Sequence, residues 1–113
     1  MKKLLFVDDN LTYRQLIKYW LSHTNYLFQI VKNAEEALIK LETEKFDVII
    51  TDLFMPDISG LMLTEIVKEK YHIPILIITA NSAFELSSYN FENKYPKPCT
   101  KIHFLEFLKK YVD

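Results

Sequence analysis

Acidic side chains stand directly after two apolar runs of this 113-residue chain: Asp8 and Asp9 follow Leu4–Val7, and Asp52 follows Val48–Thr51. Two further polar residues close comparable segments, Thr79 after Ile75–Ile78 and Lys97 within Tyr95-Pro96-Lys97-Pro98. If these runs are parallel strands of an open α/β sheet, all five side chains meet in the crevice outside the carboxyl ends of the strands. Three carboxylates gathered there repel one another unless a hard cation neutralises them. Mg²⁺, which prefers oxygen ligands and keeps several waters, suits that arrangement. A hydroxyl and an ammonium beside the carboxylates suit the oxygens of a phosphoryl group.

The segments between these positions alternate between strand-like and helix-like periodicity, which predicts βα units and a parallel sheet. Strands are expected over Lys3–Val7, Phe28–Val31, Phe46–Thr51 and Pro74–Thr79. Asn10 can cap a helix with Tyr13, Leu16, Ile17, Trp20 and Leu21 on its apolar face. Asn33 with Glu36 forms a capping pair ahead of Ala34, Ala37, Leu38 and Leu41. Ser59 precedes Leu63, Ile66 and Val67, and Thr100 precedes Phe104, Leu105, Leu108 and Val112. Residues 81–93 are weaker: Ser87, Ser88, Asn90 and Asn93 dilute any helical signal, leaving about two turns around Phe84, Leu86 and Tyr89. Pro96 cannot donate to a ladder, so a fifth strand can only be a short edge. The reading is a doubly wound, five-stranded α/β domain with a shortened fourth helix.

Bulk properties remove several classes of function. A net charge of −1 points to no bulk electrostatic attraction to nucleic acid or an anionic membrane. No apolar run approaches the roughly 20 residues needed to span a bilayer. Met1-Lys2-Lys3 precedes only a short apolar run without a small-residue cleavage site, so a secretory signal is not expected. Cys99 is the one cysteine, which fits a reducing, cytoplasmic compartment. His23, His72 and His103 have no acidic partner at metal-ligand spacing and read as surface residues. A single domain over residues 1–113, without an output domain after its last helix, is the expected organisation.

The ordered set of Asp8-Asp9, Asp52, Met55-Pro56-Asp57-Ile58-Ser59-Gly60, Thr79-Ala80 and Lys97-Pro98 resembles the receiver domains of two-component response regulators over essentially the whole chain. The resemblance implies a CheY-like, flavodoxin-like strand order of 2-1-3-4-5. It implies that Asp52 is the nucleophile and phosphorylated residue, giving an acyl phosphate. Asp9 and Asp52 would ligate Mg²⁺ directly, Asp8 mainly through water, and the Phe54 carbonyl would add another ligand. Lys97 would pair with the phosphoryl charge, and Thr79 would hydrogen-bond one of its oxygens. A cis bond before Pro98, common in the family, would aim Lys97 inward. Such a domain is a monomeric phosphoacceptor that catalyses its own phosphorylation and dephosphorylation. It takes its phosphoryl group from a histidine kinase or phosphotransfer protein and acts on a target protein that the sequence does not name.

Other readings meet specific obstacles. A flavodoxin proper binds the FMN phosphate in a loop rich in Ser, Thr and Gly, whereas Asp8-Asp9-Asn10 would repel it. A haloacid-dehalogenase-type phosphatase needs a second Asp two residues after the nucleophile, where this chain has Phe54. The remaining alternative is a receiver-like interaction module that works without phosphorylation. One departure concerns readout: the Phe or Tyr usual three residues before the lysine is replaced by Lys94, and an alternating strand would send Tyr95 to the opposite face.

Overall fold

A computed structural model of the protein describes residues 2–80 and 94–113. Its elements are β1 (Lys3–Val7), α1 (Leu11–Leu21), β2 (Leu27–Val31), α2 (Ala34–Thr43), β3 (Val48–Asp52), α3 (Gly60–Lys70), β4 (Ile75–Thr79), β5 (Lys94–Pro96) and α4 (Lys101–Tyr111). All five strands are parallel, in the order β2-β1-β3-β4-β5. The reversal of winding beside β1 places a crevice between β1 and β3 at their carboxyl ends. The expected fold class and strand order are both present. The expected shortened helix around Phe84, Leu86 and Tyr89 lies outside the described residues.

Strands buried on both faces explain the unbroken apolar runs. Leu4, Phe6, Val48, Ile50, Leu76 and Ile78 pack beneath Ile17, Trp20 and Leu21 of α1 and Phe104, Phe107 and Leu108 of α4. Leu5, Val7, Ile49 and Ile75 face Ala37 and Leu41 of α2 and Leu63 and Val67 of α3. Burial of this kind contributes about 25 cal/mol for each Å² of apolar surface withdrawn from water. No helix among the described residues is long and apolar enough to cross a membrane.

All four expected caps form. Asn10 and Asn33 accept backbone N–H bonds from Tyr13 and Glu36, both at 2.8 Å. Ser59 and Thr100 accept from Met62 and His103 at 3.1 and 3.2 Å. Glu36 Oε1 reaches back to the Lys32 amide at 3.0 Å and completes the second cap. Each cap satisfies a donor that the helix cannot, which stabilises by roughly 1 kcal/mol.

Some boundaries differ from expectation for local reasons. β2 begins one residue early, because Leu27 N–H donates to the Lys2 carbonyl at 3.0 Å. β3 begins at Val48, with Phe46 packed in the core and the Asp47 carboxylate accepting from the Lys3 amide at 2.7 Å. It extends through Asp52, still in register with Ile78, and the Leu53 amide continues the ladder to the Ile78 carbonyl at 3.1 Å. Pro74 contributes only its carbonyl, to Ile49 at 2.9 Å, so β4 begins at Ile75. Leu16, expected inside, lies at the exposed edge of α1.

Candidate functional site

Four of the five strand ends, those of β1, β3, β4 and β5, present the predicted site residues. At the end of β1, Asp8 is fully buried and its Oδ1 accepts the Asn10 amide at 2.8 Å. The Asp8 carbonyl accepts from Arg14 Nη1 at 2.9 Å, which ties the β1–α1 turn to the helix. Asp9 is exposed at the mouth of the crevice. Asp52 closes β3 and is 7 % exposed, and Thr79 closes β4 and is 2 % exposed. Phe54, two residues past Asp52, is 48 % exposed.

Lys97 reaches the carboxylates from the far edge of the sheet. Its Nζ lies 2.6 Å from Asp8 Oδ2 and 3.6 Å from Asp52 Oδ2. The cis bond expected before Pro98 is not there; no cis peptide occurs among the described residues. Lys97 points inward on a trans backbone because its amide donates to the Thr79 carbonyl at 2.9 Å while its ammonium meets two buried charges. Tyr95 sits one register step before Pro96, opposite Ile78. Its ring lies 4.1 Å from that of Tyr111 and 5.5 Å from that of Phe107, so it packs on the α1/α4 face. The three histidines are exposed.

One carboxylate oxygen from each of Asp8, Asp9 and Asp52 can be chosen so that all three lie within 4.8 Å of one another. Burial pushes the Asp52 carboxyl up from 3.8 to about 6, and the Asp8 and Asp9 charges push the same way against the opposing pull of Lys97. Like charges crowded in a partly dry crevice produce that shift. An all-oxygen cluster carrying excess negative charge fits a hard divalent cation such as Mg²⁺.

Gly60 is a site residue that periodicity did not reveal. Its amide donates to the Leu53 carbonyl at 2.8 Å, holding the loop after β3 closed. A Cβ on Gly60 would stand 2.1 Å from the Asp52 carbonyl oxygen, a backbone atom with nowhere to go. Asp57, in the same loop, adopts a left-handed φ of 68°, which Asp tolerates at turns. Gly60→Ala should therefore destabilise the fold by about 1–3 kcal/mol, as overpacking does. A urea midpoint equal to that of the wild type would show that the close approach is not rigid.

The family model for the response regulator receiver domain matches residues 4–110. The chain belongs to that family. Among solved structures, the receiver domain is similar to the response regulator TrrA of Thermotoga maritima bound to Mg²⁺ and beryllofluoride. That match has 36 % identity and a TM-score of 0.79, covering 97 % of this chain and 98 % of the other. A complex of TrrA with the histidine kinase ThkA matches with 34 % identity and a TM-score of 0.80, covering 100 % of both chains. The chemotaxis response regulator CheY4 of Vibrio cholerae matches with 28 % identity and a TM-score of 0.83, covering 97 % of this chain and 98 % of that one. The curated transcriptional regulatory protein ResD of Bacillus subtilis is 35 % identical over 69 % of this chain and 32 % of its own length. The receiver domain thus spans about a third of the length of the curated relatives it matches.

Proposed function

We propose that this receiver domain is a phosphorylation-dependent signalling switch with Asp52 as acceptor. The observation that carries the reading is the convergence of Asp8, Asp9 and Asp52 with the Lys97 ammonium in one crevice. A carboxylate oxygen of Asp52 attacks phosphorus and the bond to the donor breaks, leaving an acyl phosphate. With a histidine kinase or phosphotransfer protein as donor, the broken bond is phosphorus–nitrogen and the proton needed returns to the imidazole. The existence of a kinase complex for TrrA supports a donor of this class.

Phosphoryl transfer demands positioning and neutralisation of charge more than covalent assistance. Lys97 supplies a fixed positive charge, and the Thr79 hydroxyl at the end of β4 supplies a donor to one phosphoryl oxygen. Mg²⁺ would be held by Asp9, Asp52 and the Phe54 carbonyl, with Asp8 acting through water, and would supply neutralisation of the remaining negative charge. The chain promotes its own phosphorylation and dephosphorylation through these groups and hands the signal to a protein target. The lone Cys99 is in keeping with a cytoplasmic location. Incubation with acetyl phosphate and Mg²⁺ tests the reading: intact mass should rise by one phosphoryl group per chain. No mass gain under conditions that label TrrA would sink it.

The lifetime of the acyl phosphate depends on what stands over Asp52. Phe54 is half exposed and cannot orient an attacking water. Phe54→Asn supplies an amide that can, so loss of phosphate should accelerate by about tenfold, less than the roughly 10²- to 10⁴-fold that a positioned general acid or base gives. A decay rate unchanged or slower in this variant, followed by mass spectrometry over time, would remove Phe54 from a shielding role. Asn81, two residues past Thr79, lies outside the described residues.

A further inference from the structure

Tyr13 is a residue of the first turns of α1 that the proposed chemistry does not yet use. Its ring centroid lies 4.3 Å from Lys97 Nζ. Its hydroxyl donates to the Pro98 carbonyl at 2.7 Å, a tether across 85 residues of sequence. Its backbone is fixed by the Asn10 cap, and its ring packs 6.1 Å from Phe6 and 6.4 Å, edge to face, from Trp20. The anchored end of the arrangement is therefore α1, and the end that needs anchoring is the loop between β5 and α4.

The Lys97 ammonium has three donor directions. Asp8 takes the closest contact at 2.6 Å, Asp52 lies at 3.6 Å, and the face of Tyr13 covers a further side. Holding a lysine there on its flexible four-carbon stem costs considerable rotamer entropy, which these contacts offset. A ring face attracts the cation without neutralising it, so the charge stays available to an incoming anion. The hydroxyl meanwhile fixes the Pro98 carbonyl, one residue beyond the lysine. Burial, with the Asp8 charge, pushes the Tyr13 phenol well above its ordinary value, so it remains a donor.

We propose that Tyr13 is a positioning residue for Lys97, steadying the ammonium with its ring and the lysine-bearing loop with its hydroxyl. The proposal rests on the phosphoacceptor reading of Asp52. Without Tyr13, Lys97 samples more rotamers and meets a phosphoryl group less often in the productive geometry.

The test is NMR of the Lys97 ε-methylene group, together with titration of beryllofluoride at saturating Mg²⁺. It compares the wild type with Tyr13→Phe, Tyr13→Leu and Tyr13→Met, the last a flexible apolar replacement in case Leu leaves a packing defect. In the wild type and Tyr13→Phe the ring should displace the ε-methylene protons upfield, and Tyr13→Leu and Tyr13→Met should lose that displacement. Beryllofluoride affinity should fall about fivefold in the variants without a ring and recover to within about twofold in Tyr13→Phe, the range a partly desolvated cation–π contact gives. A folded Leu or Met variant that binds beryllofluoride as the wild type does, or keeps the displaced methylene, overturns the role of Tyr13 alone. A wild-type protein that does not bind beryllofluoride overturns the phosphoacceptor reading and the positioning role with it.

Discussion

Asp52→Asn should abolish phosphoryl incorporation from acetyl phosphate and at the same time make the metal-free fold more stable. The first effect follows from chemistry: an amide oxygen is a poor nucleophile, and Asp52 is the carboxylate that closes β3 with the Lys97 ammonium 3.6 Å away. The second follows from the charge that the substitution removes. Burial and the neighbouring carboxylates raise the folded-state value of Asp52 to about 6, above its ordinary 3.8. Between those values the folded protein binds the proton more tightly than the unfolded chain does. Stability therefore falls as pH rises through that window and stays lowered above it. The ionised carboxylate costs about 1–2 kcal/mol at neutral pH after allowance for solvent screening. Asp52→Asn should recover an amount of that order at pH 7.5 and little at pH 4. Urea denaturation at the two pH values, in the presence of a chelator, reads this directly. Loss of labelling with a gain in stability excludes misfolding as the reason for inactivity. Stoichiometric labelling of the Asn variant would move the acceptor elsewhere.

The sheet and its site were unevenly legible. Apolar runs such as Ile75–Ile78 announce strands buried on both faces, and Asn10, Asn33, Ser59 and Thr100 announce helix starts through short-range hydrogen bonds. Signals of that kind survive in one dimension because the partners are three residues apart. The gathering of Asp8, Asp9, Asp52 and Lys97 was legible because a parallel sheet sends every carboxyl end to one edge. Gly60 was visible only as a turn glycine; its need for hydrogen in place of Cβ depends on the Asp52 carbonyl behind it. Tyr13 read as one more apolar position of α1, and nothing local tells that its ring meets Lys97, just past the end of β5. The cis bond expected from resemblance is replaced by a trans one, with the Lys97 amide bonded to Thr79. Lys94 and Tyr95 occupy opposite faces of β5, as alternation requires, and Tyr95 stacks on α4. The aromatic nearest the expected switch position is thus committed to a different face from Thr79.

Removing Asp9 should weaken Mg²⁺ binding far more than removing Asp8, although Asp8 is the more deeply buried. Asp8 already has partners: Asn10 N–H on one oxygen and the Lys97 ammonium on the other. Its carboxylate is therefore partly neutralised before any cation arrives. Asp9 is exposed at the mouth, where a largely hydrated Mg²⁺ would enter, and one of its oxygens lies within 4.8 Å of oxygens of both other carboxylates. Losing a direct carboxylate ligand should cost more than about 100-fold in affinity, whereas a group acting through water falls in the range of about 10- to 100-fold. Binding to the folded state alone stabilises it by RT ln(1 + [L]/Kd), so saturating Mg²⁺ should raise the wild-type melting temperature. In Asp9→Ala that rise should vanish at the same Mg²⁺ concentration, and in Asp8→Ala it should persist in reduced form. Asp8→Ala carries its own structural cost, because Lys97 loses its nearest partner in a mostly buried position. Each comparison must therefore be made between the metal-free and metal-loaded forms of the same variant. Isothermal titration at pH 7.5, above the raised value of Asp52, keeps that carboxylate ionised throughout. Equal Mg²⁺ affinity in wild type and Asp9→Ala would remove Asp9 from the ligand set and leave Asp52 with Asp8 as the pair to test.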